Sequence, residues 1–339
     1  MSTFLLVSLL VGSSAATLLL WAFLLRIGLR WAKVPEVTTR QVAFAAILIA
    51  LLQLAMMIVS YAVSATIPAL AAIIGIAELI VAVLLPFLVI MRVFKASFPR
   101  AVQAWLPTLI SPLVMVAVVL FVVRPFLVEA FVSPTNAMAP FLLGNRWQGT
   151  CVECSSPAFC SPIPEMDTSL ESTEMICRYF HISRPTDVGR DVLSADKFVV
   201  AKCLRPRRWD IVVFRFPRNP SELYVMRLVG LPGEEIQIKD GMVWANGKRL
   251  QPPESLRGIN YLSEIADVYG GVLWGSPESP AKLGNDEYFV LGDFSAKSYD
   301  SRLWDVGAPG HNPFAVPQSH LHGVVTHTYW LPSRWRVFR

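Results

Sequence analysis

Four apolar runs, at about 4–25, 42–62, 67–91 and 105–123, occupy the N-terminal third of the chain. Each is close to the roughly 20 residues that cross a bilayer's hydrocarbon core. No pattern constrains the fold more: four transmembrane helices are expected over residues 1–123, with a separate domain over 124–339. Only 16% of the 339 residues are charged, against roughly 25% in a soluble domain. Eight basic residues (Arg26, Arg30, Lys33, Arg40, Arg92, Lys95, Arg100, Arg124) and three acids (Glu36, Glu78, Glu129) lie in residues 1–130, so the whole formal charge of +5 sits there. A basic patch on a domain face would indicate nucleic acid. Here the basic residues flank apolar runs instead, so the expected partner is the lipid bilayer and not nucleic acid.

Basic residues gather in cytoplasmic loops. The loops after the first and third runs carry them, which places both termini outside the cytoplasm and makes the protein a multi-pass protein of the cell's inner or plasma membrane. The first run has no basic n-region and is too long for a secretory h-region, so it reads as an anchor rather than a cleaved leader. Glu78 and Gln53 fall inside runs, and an intramembrane acid is a functional candidate. Pro107 and Pro112 are tolerated in membrane helices.

From about residue 185 short β-type runs take over, at 198–201, 211–216, 224–229, 235–238, 242–245, 288–291 and 323–330. Leu231-Pro232-Gly233, Lys239-Asp240-Gly241 and Ala245-Asn246-Gly247 supply the turns between them. An all-β, barrel-like extracytoplasmic domain is expected, with insertions at about 144–190 and 252–284. Five cysteines are present. Cys151 and Cys154 form a C-x2-C knuckle, and Cys160 with Cys177 would complete a structural zinc site. Outside the cytoplasm the competing readings are disulfides and free thiols. Cys203 reads as a buried strand residue. His320 and His322 share a strand face, with no acid near them in sequence to complete a metal site. Trp304, Tyr329, Trp330 and Trp335 are candidate anchors at the membrane interface.

Four segments in order resemble the bacterial type I signal peptidase (leader peptidase) family. The first runs from Arg124 to Pro140 and ends Ser133-Pro-Thr-Asn-Ala-Met-Ala-Pro140. The second is Arg208-Trp-Asp-Ile-Val-Val-Phe214. The third is Tyr224-Val-Met-Arg-Leu-Val-Gly-Leu-Pro-Gly-Glu234, with Trp244-Ala-Asn-Gly-Lys-Arg-Leu250 after it. The fourth runs from Leu291-Gly-Asp-Phe to Ser298-Tyr-Asp-Ser-Arg-Leu-Trp304. The resemblance implies a serine endopeptidase fold in which a serine attacks the scissile carbonyl and a lysine takes its proton. Burial lowers that lysine's pKa, and backbone N–H and hydroxyl groups hold the oxyanion. No cofactor is required.

Carried over by residue, the nucleophile position holds Ala137 and the general-base position Met226, so both reacting atoms are missing. Thr135 stands at the oxyanion-hole hydroxyl and Ser298 at the serine that orients the lysine. Gly292, Asp293, Asp300 and Arg302 match structural positions, the last two as an ion pair. Met138, Pro140, Tyr224 and Val225 match substrate-binding positions. Asn136 replaces the glycine beside the nucleophile, where it would obstruct substrate, and Trp209 replaces the glycine before Asp210. The resulting expectation is a pseudoprotease that retains a peptide-binding scaffold for exported preproteins or their signal-peptide segments. One alternative is an active peptidase with a relocated dyad built from Ser133 or Thr135 and Lys297. Another is a membrane assembly or scaffolding protein that uses the helices and Glu78.

Overall fold

The computed structural model describes residues 2–66, 71–162, 174–185, 187–262, 272–330 and 332–339. They fall into two compact units, Met1–Val122 and Val123–Arg339.

Among the described residues three helices are long and apolar enough to cross a membrane by length and composition: Thr39–Val63, Ile73–Phe94 and Phe98–Leu127. They coincide with the second, third and fourth expected runs, although residues 67–70 of the third lie outside the described residues. The first run falls within a helix at Ser2–Trp31, whose side chains are described only from residue 15 onward. Leu25, Leu29, Val42, Ile49, Ile90 and Ala104 are buried together, while Leu51, Ile58, Ile80, Leu88, Leu113 and Phe121 are exposed. This inverts the pattern of a soluble bundle. Gly28 permits a close helix crossing, since a Cβ there would lie 1.9 Å from the Ala104 carbonyl oxygen. Such small-residue contacts suit helices that have no hydrophobic drive to associate in lipid. The fourth run is longer than expected and interrupted. Pro107 cannot donate a backbone hydrogen bond, and the chain tightens into a 3₁₀ turn at Leu106–Leu109, where Thr108 Oγ1 donates to the Trp105 carbonyl at 2.6 Å. Glu78 is half-buried and Gln53 is exposed.

The second unit is built from antiparallel sheets. The largest runs Val128–Val132, Lys197–Ala201, Leu321–Trp330, Ile211–Arg215, Leu223–Gly230, Glu287–Leu291 and Val316–Pro317, with Arg336–Val337 added to Leu321–Trp330. A four-stranded sheet holds Lys248–Arg249, Met242–Ala245, Glu235–Lys239 and Ala281–Lys282. The anticipated turns carry the positive φ angles that two-residue hairpin loops need: Asp240 and Gly241 at 51° and 72°, Asn246 and Gly247 at 50° and 73°. The barrel expectation is corrected, because the described strands form three open sheets. The large sheet ends at a two-residue strand containing Pro317, which has no N–H to continue the ladder.

The segment at 144–190 is a third sheet in its own right: Ile182–Ser183, Met175–Cys177, Pro157–Cys160, Arg146–Thr150 and Gly189–Leu193. The segment at 252–284 is less peripheral than an insertion, since Leu256, Ile259 and Tyr261 are buried in the main core. Trp304 also belongs to that core at 1% exposure, packed on Phe214 and Phe216, and is no interfacial anchor. Tyr329, Trp330 and Trp335 are exposed.

Candidate active site and cysteine cluster

A groove of about 730 Å³ brings together Thr135, Ala137 and the Tyr224–Met226 stretch, with Lys297 and Glu174 among its other lining residues. Ala137 sits in a tight turn after Ser133, and its carbonyl accepts from Phe294 N–H at 2.9 Å. Met226 arrives on the Leu223–Gly230 strand and is buried. The two positions where the family resemblance places nucleophile and base therefore share one groove, and both are apolar. Thr135 is exposed, and its Oγ1 accepts from Ala137 N–H at 3.4 Å. Ser133 is buried, its hydroxyl donating to the Thr135 carbonyl at 3.2 Å, so it is not aimed at the groove as a nucleophile.

The Leu223–Gly230 strand is unequally paired. On one side Ile211–Arg215 pairs with Leu223 through Arg227. On the other, Glu287–Leu291 meets only Arg227, Leu228 and Gly230. Leu223–Met226 therefore has one open edge among the described strands. Tyr224 and Val225 lie on this stretch and line the groove. Met138 and Pro140 do not: both are buried, with Met138 in the core and the Pro140 carbonyl facing Arg334 at 3.4 Å.

The supporting residues are strongly bonded. Asp300 and Arg302 form a fully buried two-pronged pair at 2.8 Å for each contact, and Asp300 Oδ2 also accepts from Gly292 N–H at 3.0 Å. Arg227 binds Asp293 at 2.7 and 2.5 Å and donates to the Trp209 carbonyl at 2.7 Å. Burial pushes the Asp293 carboxyl up, and the Arg227 guanidinium opposes it. Gly292 is needed for close approach, since a Cβ there would lie 2.0 Å from Ser298 Oγ and 2.8 Å from the Ala137 carbonyl oxygen. Ser298 Oγ is buried and has no hydrogen-bond partner among the described residues.

Asn136 also lines the groove. Its side chain is buried and fully engaged: Nδ2 donates to the Asn145 carbonyl at 2.8 Å and to Ser161 Oγ at 3.1 Å, and Oδ1 accepts from Gly144 N–H at 3.0 Å. It ties the Ala137 turn to the five-stranded sheet. Trp209 has a left-handed backbone with φ 70°, a conformation that favours glycine. Lys297 lines the groove, is 57% exposed and lies 3.8 Å from Glu174.

The cysteines sort differently from the expected set. Cys151, Cys154 and Cys177 converge with His181, all four ligand atoms lying within 4.8 Å of one another. Cys160 is not among them; it lines the groove, where burial pushes its thiol up to about 11. Cys203 is exposed, in contrast to its expected burial, and all five thiols are free. One acidic cluster had no signal in the sequence. Glu129 meets Lys202 at 2.8 Å, Arg124 at 3.0 Å and His322 at 2.9 Å. The acid expected to be missing near His322 thus comes from 193 positions earlier.

With this geometry in place, comparison gives a consistent family. A family model described as signal peptidase, peptidase S26, matches residues 166–330. The chain is 33% identical over 136 residues to a signal peptidase I of Leptolyngbya laminosa, covering 38% of this chain and 55% of that protein. It is 26% identical over 239 residues to a signal peptidase I of Rickettsia bellii (strain OSU 85-389), covering 64% and 73%. A crystal structure of a signal peptidase I from Enterococcus faecalis V583 matches at 28% identity and a TM-score of 0.26, covering 36% of this chain and 98% of that one. The chain spans about half the length of the first curated relatives it matches. These matches support membership of the type I signal peptidase family.

Proposed function

We propose that the protein is a membrane-anchored, catalytically silent member of this family that holds an extended peptide segment without cutting it. The carrying observation is the pair of side chains at the reacting positions. Ala137 and Met226 line one groove, and neither a methyl group nor a thioether supplies a nucleophile or a base at neutral pH. The open edge at Leu223–Met226 supports the binding half of the reading. An extended peptide gains affinity by adding its backbone to such an edge and specificity from pockets for alternate side chains. The occupant is a signal-peptide segment of an exported preprotein. In this reading the helices cross an inner or plasma membrane, and the basic loops around Arg26–Arg40 and Arg92–Arg100 keep the β unit outside the cytoplasm.

The test uses the full chain in nanodiscs and a labelled peptide spanning a signal-peptide cleavage region. Binding without cleavage is expected, and N-methylating successive peptide amides should weaken it in an every-second-residue pattern. Cleavage by the unaltered protein would restore the relocated-dyad reading. Absence of binding to any such peptide would remove this one.

A further inference from the structure

The two cysteine-bearing hairpins of the five-stranded sheet meet at their turns. Cys151 and Cys154 occupy the turn between the Arg146–Thr150 and Pro157–Cys160 strands. Cys177 and His181 flank the turn between Met175–Cys177 and Ile182–Ser183. The second half of the site is thus a C-x3-H knuckle, which an inventory of cysteines alone overlooks.

We propose that Cys151, Cys154, Cys177 and His181 form a structural zinc site that fastens these two hairpins together. The distances suit this better than a disulfide. Zinc–thiolate bonds of about 2.3 Å in a tetrahedron put sulfurs about 3.8 Å apart, and Cys154 Sγ lies 3.7 Å from Cys177 Sγ. Cys151 Sγ lies 3.9 Å from His181 Nδ1. A disulfide requires about 2.05 Å between sulfurs. The surroundings are those of thiolate ligands. Backbone N–H groups of Glu153 and Cys154 face Cys151 Sγ, that of Ser156 faces Cys154 Sγ, and that of Tyr179 donates to Cys177 Sγ at 3.4 Å. The Ser183 hydroxyl lies 3.7 Å from Cys151 Sγ. Three thiolates and one imidazole in a tetrahedral arrangement select zinc among divalent ions. With four protein ligands and no open position, the site is structural rather than catalytic.

The metal would act on the groove through the sheet it fastens. The Pro157–Cys160 strand leads from the first knuckle to Cys160 and Ser161, which line the groove, and Ser161 receives the Asn136 hydrogen bond. Zinc would therefore set the position of one groove wall. This inference does not depend on whether the groove binds or cuts peptides.

The test is metal analysis of the full chain purified in detergent without chelators. One zinc per chain is expected, retained in Cys160→Ser and lost in Cys154→Ser and His181→Ala. Because those variants risk unfolding, cobalt is exchanged into the unaltered protein as well. The visible bands of tetrahedral thiolate coordination should appear, and His181→Cys should shift them while keeping the metal. Mass spectrometry showing a native disulfide among Cys151, Cys154 and Cys177 would overturn the proposal. So would zinc content well below one per chain, or zinc lost in Cys160→Ser but kept in His181→Ala.

Discussion

Arg227 and Asp293 meet through two hydrogen bonds of 2.7 and 2.5 Å with both side chains buried, each one residue beyond a position that defines the site, Met226 and Gly292. The pair fixes the register of the Leu223–Gly230 strand against the segment that carries Ser298. Breaking a buried pair leaves one uncompensated charge, at a cost of about 3–5 kcal/mol, whereas replacing both partners by apolar groups costs far less. Asp293→Asn should therefore lower stability by about that amount. Arg227→Met combined with Asp293→Leu should lower it less than either single change. Urea unfolding of the detergent-solubilised chain checks this, and a single-variant loss below about 1 kcal/mol would contradict it.

On the proposed reading the groove lacks both reacting atoms, and that reading can be tested by restoring them. Ser298 Oγ is buried without a partner among the described residues, a condition that costs roughly 1–3 kcal/mol, and an ammonium at position 226 is expected to give it one. Ala137→Ser with Met226→Lys should then cut a signal-peptide substrate weakly, while each single variant leaves it intact, because neither group works without the other. Mass spectrometry of the peptide after long incubation reads the result. An inert double variant that still binds peptide would mean the residues are misplaced for chemistry.

Asn136 separates an obstructing role from a bracing one. Three hydrogen bonds leave its side chain, two of them to backbone groups that Gly would abandon. Asn136→Gly should lower stability by about 1–3 kcal/mol and reduce, rather than raise, any activity of the double revertant. Thermal unfolding together with the cleavage assay decides it. A more active and equally stable triple variant would restore the reading of Asn136 as an obstacle to substrate.

Acid should expose the Glu129 cluster. Burial alone would raise this carboxyl, but hydrogen bonds from Lys202, His322 and Arg124 outweigh it and hold it at about 2 instead of 4.5. The folded value lies below the unfolded one, so the stabilisation is fully present above the unfolded value. It is lost as pH falls from about 4.5 towards 2. The melting temperature of the unaltered chain should fall more steeply across that window than that of Glu129→Gln. Parallel slopes would show that the cluster contributes nothing.

What the sequence disclosed depended on how local each signal was. Apolar runs and Asn-Gly or Asp-Gly turns announce themselves within a few residues, and the strands at Met242–Ala245 and Glu287–Leu291 lie where the short β-type runs at 242–245 and 288–291 place them. Glu129 and His322, 193 positions apart, meet only because Val128–Val132 and Leu321–Trp330 both pair with Lys197–Ala201. Cys160 completes a set of four sulfurs in the sequence without His181, and nothing in the spacing says that Cys160 faces the groove. Trp209 was visible as a departure from glycine. That the backbone beneath the indole is left-handed was not, since the surrounding fold absorbs a strain of about 1–2 kcal/mol.

The unpaired edge at Leu223–Met226 has a consequence for the company this protein keeps. A row of unsatisfied backbone donors and acceptors is an invitation to any extended chain, and soluble proteins blunt such rows with proline, lysine or a covering loop. Here the four residues are Leu, Tyr, Val and Met, with none of those devices. Confinement to a membrane makes the hazard sharper, because molecules moving in two dimensions meet far more often than the same number dispersed in solution. Overproduced without a peptide to occupy it, the chain should associate sideways through this edge, and supplying a peptide that fits should keep it apart.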